Sequence, residues 1–155
     1  MRGAFEYSVW ASAQADRGGS LKEAVVALMA TSPTRSSPIV LVVEDEMLLR
    51  MRAVDMVQDA GYTSIEAVDA DQALAMLESR SDIALLFTDI QMPGSMDGLE
   101  LAHAVHKRWP PIKIILVSGQ LRLSTVEIPL HSRFFGKPLI SGEMIAEMRD
   151  MIDPV

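Results

Sequence analysis

From Ile39 onward, short runs of β-branched and apolar residues alternate with amphipathic stretches, and that alternation confines the chain to one fold class. IVLVV (39–43) is a continuous apolar run, the pattern of a strand buried on both faces of a parallel sheet. Residues 46–61 carry apolar stripes at Met47, Met51, Val54, Val57 and at Leu49, Ala53, Met56, Ala60, closed by Gly61. That spacing predicts an amphipathic helix with a glycine stop. TSIEAV (63–68) reads as a second strand, and Asp69 with Gln72 forms a capping box opening a helix to about Ser79. IALLFT (83–88) is a third strand, and Asp97 caps a helix to Arg108 that Pro110-Pro111 ends. IKIILVS (112–118) is a fourth strand and RFF (133–135) a short fifth. The stretch 119–131 is weakly patterned and carries Pro129, which predicts a degraded helix or a loop. Ile140, Met144, Met148 and Met151 share one stripe of a terminal helix. Five strands alternating with helices imply an α/β fold: a doubly wound parallel sheet with right-handed crossovers and helices on both faces. The pattern leaves the strand order open.

Residues 1–37 have a different character. They are rich in Ala, Ser, Gly, Thr and Arg and end in the linker-like TSPTRSSP. Ser20 with Glu23 and the apolar Leu21, Val25, Leu28 and Met29 allow a short helix over 20–31. An isolated helix of that length is marginal in water, so this leader is expected to be mostly disordered and the domain to occupy 38–153. Only Arg2 precedes an apolar run broken by Glu6 and Ser8, which makes a poor secretory signal. No apolar stretch reaches the roughly 20 residues that span a bilayer. A formal charge of −7 offers no basic face to nucleic-acid phosphates. The absence of cysteine excludes disulfides, thiolate metal sites and a cysteine nucleophile. The expectation is a soluble, cytoplasmic protein that binds neither nucleic acid nor membrane.

The chemistry collects at the carboxyl ends of the expected strands, where open α/β sheets bind ligands. The first ends in Glu44-Asp45, the third in Asp89 and the fourth in Ser118-Gly119, while Lys137-Pro138 follows the fifth. Three carboxylates on one rim repel each other and hold protons more tightly unless a cation intervenes. Mg²⁺ suits such hard oxygen ligands, keeping water and phosphate oxygens among its six positions. A lysine and a hydroxyl across the site suit phosphoryl oxygens. A carboxylate can itself attack phosphorus to give an acyl phosphate.

The elements VVED (42–45), TDIQMPGSMDGLEL (88–101), LVSGQ (116–120) and FFGKP (134–138), each at a strand end, resemble the signature set of CheY-like response-regulator receiver domains. The resemblance covers about residues 38–152 and implies the flavodoxin-like strand order 2-1-3-4-5. It implies that Glu44 and Asp45 hold Mg²⁺, and that Asp89 is both metal ligand and phosphoacceptor. The backbone carbonyl of Gln91 would complete the protein's ligands. Ser118 and Lys137 would bind the phosphoryl group, with Lys137 joined to Pro138 by a cis bond. Phe134 would be the aromatic switch that turns inward as Ser118 moves. The function implied is a phosphorylation-controlled module of a two-component system, fed by a sensor histidine kinase and read by a downstream protein. Self-phosphorylation and autodephosphorylation would be its only catalysis.

Two departures stand out. Ser95 is an extra residue between Pro93 and the Met96-Asp97-Gly98 element, so the loop over the site is longer. Only 18 residues separate Ser118 from Lys137, which resembles single-domain receivers with a reduced fourth helix. Partner recognition is then expected to use the loop 120–132 and the last helix. No output domain is expected after residue 152, and the alternatives are a phosphate sink or an unphosphorylated scaffold. A metal-dependent phosphohydrolase fits less well, because such enzymes place a second acid where Gln91 stands. His103 and His106 lie three apart on a helix without a matched acid beyond Glu100, and are not read as metal ligands. Gln91 and Gln120 flank the acceptor and are candidates for tuning phosphoryl lifetime.

Overall fold

The computed structural model describes residues 36–120 and 127–154. In chain order its elements are β1 (Ile39–Val43), α1 (Met47–Asp59), β2 (Thr63–Ala67), α2 (Ala70–Ser79), β3 (Ile83–Asp89), α3 (Gly98–Arg108), β4 (Lys113–Ser118), β5 (Arg133–Gly136) and α4 (Ser141–Ile152). All pairings are parallel, and the described strands form one sheet in the order β2-β1-β3-β4-β5. The fold class and strand order are as expected. The expected helix over 20–31, most of the leader and residues 121–126 of the weakly patterned stretch lie outside the described residues. Residues 119–120 and 127–132 form no helix.

Strand composition follows position in the sheet. The central β1, β3 and β4 are buried almost throughout, which is why they read as unbroken apolar runs. The edge strands β2 and β5 keep exposed residues. Alternate side chains of the central strands feed two cores. Leu41, Val43, Leu86 and Leu116 pack with α2 and α3 residues such as Ala73, Leu77, Leu101 and Val105. Val40, Val42, Leu85, Phe87, Ile115 and Val117 pack with Met56 and Val57 of α1 and with Met144 and Met148 of α4. At about 1.5–3 kcal/mol per fully buried large apolar side chain, these layers outweigh exposed ion pairs such as Arg80–Asp82 and Arg108–Glu78.

Local chemistry sets the helix ends. Asp97 accepts the Glu100 N–H at 2.8 Å while Glu100 accepts the Asp97 N–H at 3.3 Å, a complete capping box at α3. At α2 the box is displaced: Asp69 accepts the Gln72 N–H at 2.9 Å, but the Gln72 carboxamide reaches back to the Val68 N–H at 3.0 Å. Gly61 ends α1 with a φ of +96°, a value that costs a glycine little. Two expected core residues of α1 are corrected. Met47 and Met51 are 60% and 54% exposed. Met47 and Met51 lie on the solvent side of α1, whose sheet-facing side runs from the half-buried Leu49 to the buried Ala53 and Met56. Ile140 precedes the first turn of α4 and is exposed, while Met144, Met148 and Met151 of its stripe are buried.

Candidate functional site

Main-chain bonds at the ends of three strands extend the sheet by one step and fix Glu44, Asp89 and Lys137 at its rim. Glu44 N–H donates to Ala67 O at 3.1 Å, Ile90 N–H to Val117 O at 2.9 Å, and Lys137 N–H to Ser118 O at 2.9 Å. β4 and β5 are in register with Ser118 opposite Gly136, so Lys137 begins where the ladder ends. The Lys137–Pro138 peptide bond is cis.

These positions bring the acids and the amine together. One oxygen from each of Glu44, Asp45 and Asp89 lies within 4.8 Å of the others. Lys137 Nζ is 3.1 Å from Asp89 Oδ1 and 3.4 Å from Glu44 Oε2. Glu44 and Asp89 are buried, whereas Asp45 is exposed at the mouth. Burial, and after it the charge of Asp89, raises the Glu44 pKa. Burial also raises that of Asp89, with Lys137 acting against it and Asp45 adding to it. Burial alone would weaken the Lys137 ammonium, yet contact with Asp89 and Glu44 wins and its pKa is raised. One lysine therefore offsets only part of the combined cost of burying these acids and of their mutual repulsion.

Asp89 Oδ1 is buried and takes no aligned hydrogen bond from any described residue. A buried carboxylate oxygen faced by a lysine ammonium but by no aligned donor is costly, and a hard divalent cation is a fitting further partner for it and for the two neighbouring acids. Ser118, also buried, donates to Gln91 Oε1 at 2.7 Å and accepts the Gln120 N–H at 3.1 Å. Phe134 is half-buried and packs against the core on the α2 and α3 side. His103 Nε2 stands 2.8 Å from the Glu127 carbonyl, joining α3 to the segment before β5.

Three features escaped the sequence reading. Arg50 of α1 donates to Glu44 O at 2.9 Å and pairs with Glu66 at 3.1 Å, clamping the peptide between the two acids of β1. Nothing in its spacing marks it out from a surface arginine. Gly98 packs directly on the backbone of Asp89 and Ile90. Its signal was a poor helix former at the first position of a well-capped helix. The extra Ser95 donates to Asp71 at 2.6 Å, so the lengthened loop is tied to the start of α2.

Residues 40–141 match the response regulator receiver domain. The chain belongs to that family. The receiver is 32% identical over 121 residues to the sensor kinase CckA of Brucella abortus (strain 2308), an overlap of 76% of this chain but 13% of that protein. The chain thus spans a small part of that curated relative. It is 28% identical over 116 residues to the response regulator receiver protein CpdR of the same organism, overlapping 73% of this chain and 95% of CpdR. Among solved structures it is similar to the response regulator protein TrrA from Thermotoga maritima in complex with Mg(2+)-BeF, with 26% identity and a TM-score of 0.66. That overlap covers 73% of this chain and 97% of the other. No described helix of the receiver is long and apolar enough to cross a membrane.

Proposed function

We propose that this receiver, residues 38–153, accepts a phosphoryl group on Asp89 from a sensor histidine kinase and signals the change to a downstream protein. The observation that carries the reading is the approach of Lys137 Nζ to Asp89 Oδ1 at 3.1 Å inside a buried cluster of acids. An oxygen of Asp89 attacks phosphorus, the bond from phosphorus to the donor histidine nitrogen breaks, and that nitrogen keeps the electron pair. The product is an acyl phosphate on Asp89. Lys137 pairs with one phosphoryl oxygen, and the Ser118 hydroxyl donates to another. Glu44, Asp45, Asp89 and the Gln91 carbonyl are the ligands proposed for Mg²⁺. When bound, the cation neutralises the acids and draws charge from the transferring phosphoryl oxygens.

Phosphorylation would add about −1.5 to −2 charge units beside β4 and β5. Movement of Ser118 toward that charge opens space beside Phe134, whose half-buried ring gives it room to turn inward. The cytoplasm, where histidine kinases present their phosphorylated side chain, is the compartment this reading implies. Incubation with acetyl phosphate and Mg²⁺, followed by intact mass, should give one phosphoryl adduct that Asp89→Asn abolishes. An adduct that survives Asp89→Asn would put the acceptor elsewhere, and no adduct under any condition would favour a scaffold.

A further inference from the structure

The Ser118 hydroxyl has one proton to give, and Gln91 stands within hydrogen-bond distance to take it. The Gln120 N–H occupies an acceptor site on Oγ at 3.1 Å, and Oγ donates to Gln91 Oε1 at 2.7 Å. Under the reading above, which this inference rests on, the same proton is needed by a phosphoryl oxygen on Asp89. Both acceptors cannot have it at once. Gln91 follows the acceptor by two residues on the β3–α3 loop, so its side chain bridges from β3 to the end of β4. We propose that Gln91 is a positioning residue that holds the Ser118 hydroxyl in its resting orientation and competes with the phosphoryl group for it.

The competition works through a local trade. Phosphorylation at Asp89 offers a charged acceptor, stronger than a carboxamide oxygen, so Ser118 changes partner when the phosphoryl group arrives. Until then the Gln91 bond favours the resting arrangement, and the receiver meets a charge threshold before it switches. The proposed metal ligand at this residue is its main-chain carbonyl, so the side chain can be replaced with that ligand retained. Loss of the carboxamide acceptor removes the competitor and favours the phosphorylated arrangement.

The test is a titration of the full chain with beryllofluoride, a phosphoryl mimic, in saturating Mg²⁺ with detection by ¹⁹F NMR. Gln91→Leu keeps the bulk and removes the acceptor, and Gln91→Ala serves if the leucine disturbs folding. Each is expected to bind the mimic about 3- to 10-fold more tightly than the parent, the effect of one neutral hydrogen bond. In a Ser118→Ala background, Gln91→Leu should change nothing, because no hydroxyl is left to release. A merely structural role would shift both backgrounds alike, and that result, or no shift beside an intact Ser118, overturns the proposal. If the parent itself does not take up the mimic, the assignment of Asp89 fails and this inference falls with it. The two failures are therefore told apart by the parent protein alone.

Discussion

Gly98, the first residue of α3, rests on the main chain of Asp89 and Ile90, and its N–H donates to the Ile90 carbonyl at 2.9 Å. A side-chain carbon there would overlap the Asp89 carbonyl oxygen, which is backbone and cannot swing aside. Gly98→Ala is expected to cost about 3 kcal/mol in urea denaturation, the upper end of overpacking, and to slow adduct formation at Asp89. Gly61 offers the contrast: nothing lies within 4 Å of a carbon built there, and only its φ resists substitution. Gly61→Ala should cost about 1–2 kcal/mol and leave the adduct rate unchanged. Equal effects of the two substitutions would show that contact with the acceptor strand is not what demands glycine at 98.

Asp89 sits in a cluster where burial and neighbouring acids hold protons on Glu44 and Asp89 more tightly than in the unfolded chain. The sign follows directly. The stability these groups contribute is fully present below their unfolded values of 4.5 and 3.8, and is lost as pH rises through the higher folded values. At neutral pH without metal, Asp89→Asn should therefore raise the melting temperature, by roughly 2–4 °C. Mg²⁺ should raise the melting temperature of the parent and have little effect on the variant. A lower melting temperature for metal-free Asp89→Asn would mean that the Lys137 contact outweighs burial and repulsion together.

Arg50 holds the Glu44 carbonyl from one side while the Ala67 carbonyl takes the Glu44 N–H from the other. The peptide that aims both acids of β1 is fixed by that pair of contacts. Arg50→Met should weaken Mg²⁺ binding about 3- to 10-fold in calorimetric titration, the loss of one charge-assisted bond partly replaced by water. Glu66→Gln, which leaves the bond to Glu44 in place, should have a smaller effect, because Glu66 is half-exposed and its pair with Arg50 is screened.

Tyr62 closes the far end of the molecule, donating to Asp153 Oδ2 at 2.7 Å. Burial, followed by that bond, pushes its phenol up to about 12 from an ordinary 10.0. The folded state keeps this proton where the unfolded state has begun to lose it. The contribution is intact below about pH 10 and disappears as pH climbs through about 12. Tyr62→Phe should lose about 1 kcal/mol at neutral pH and decline less between about pH 9 and about pH 11 than the parent. Parallel decline of the two proteins in urea midpoints would remove Tyr62 from the alkaline response.

The parts of this architecture that were readable in advance are those encoded locally. Unbroken apolar runs such as IVLVV and IALLFT announce strands covered on both faces, and Asp97 with Glu100 announces a helix start. The acids, Ser118 and Lys137 were readable because a parallel sheet puts all carboxyl ends on one rim. Strand order came from family resemblance, since periodicity carries no information about which strand lies beside which. Contacts between distant segments stayed hidden. Arg50 meets Glu66 and Gln91 meets Ser118 only because the fold brings them side by side. Met47 and Met51 were misjudged because two apolar stripes on one helix do not reveal which of them faces the sheet.

Lys137 directly follows β5, a four-residue strand that among the described strands pairs on one side only, with β4. Asp89 is carried by β3, held between two neighbours. The partners of one ion pair thus stand on footings of unequal strength, and margins of a sheet open at lower free energy than its centre. Warming should peel the outer strand first and withdraw the ammonium while the helices still give their full circular-dichroism signal. The protein would be disarmed before it melted.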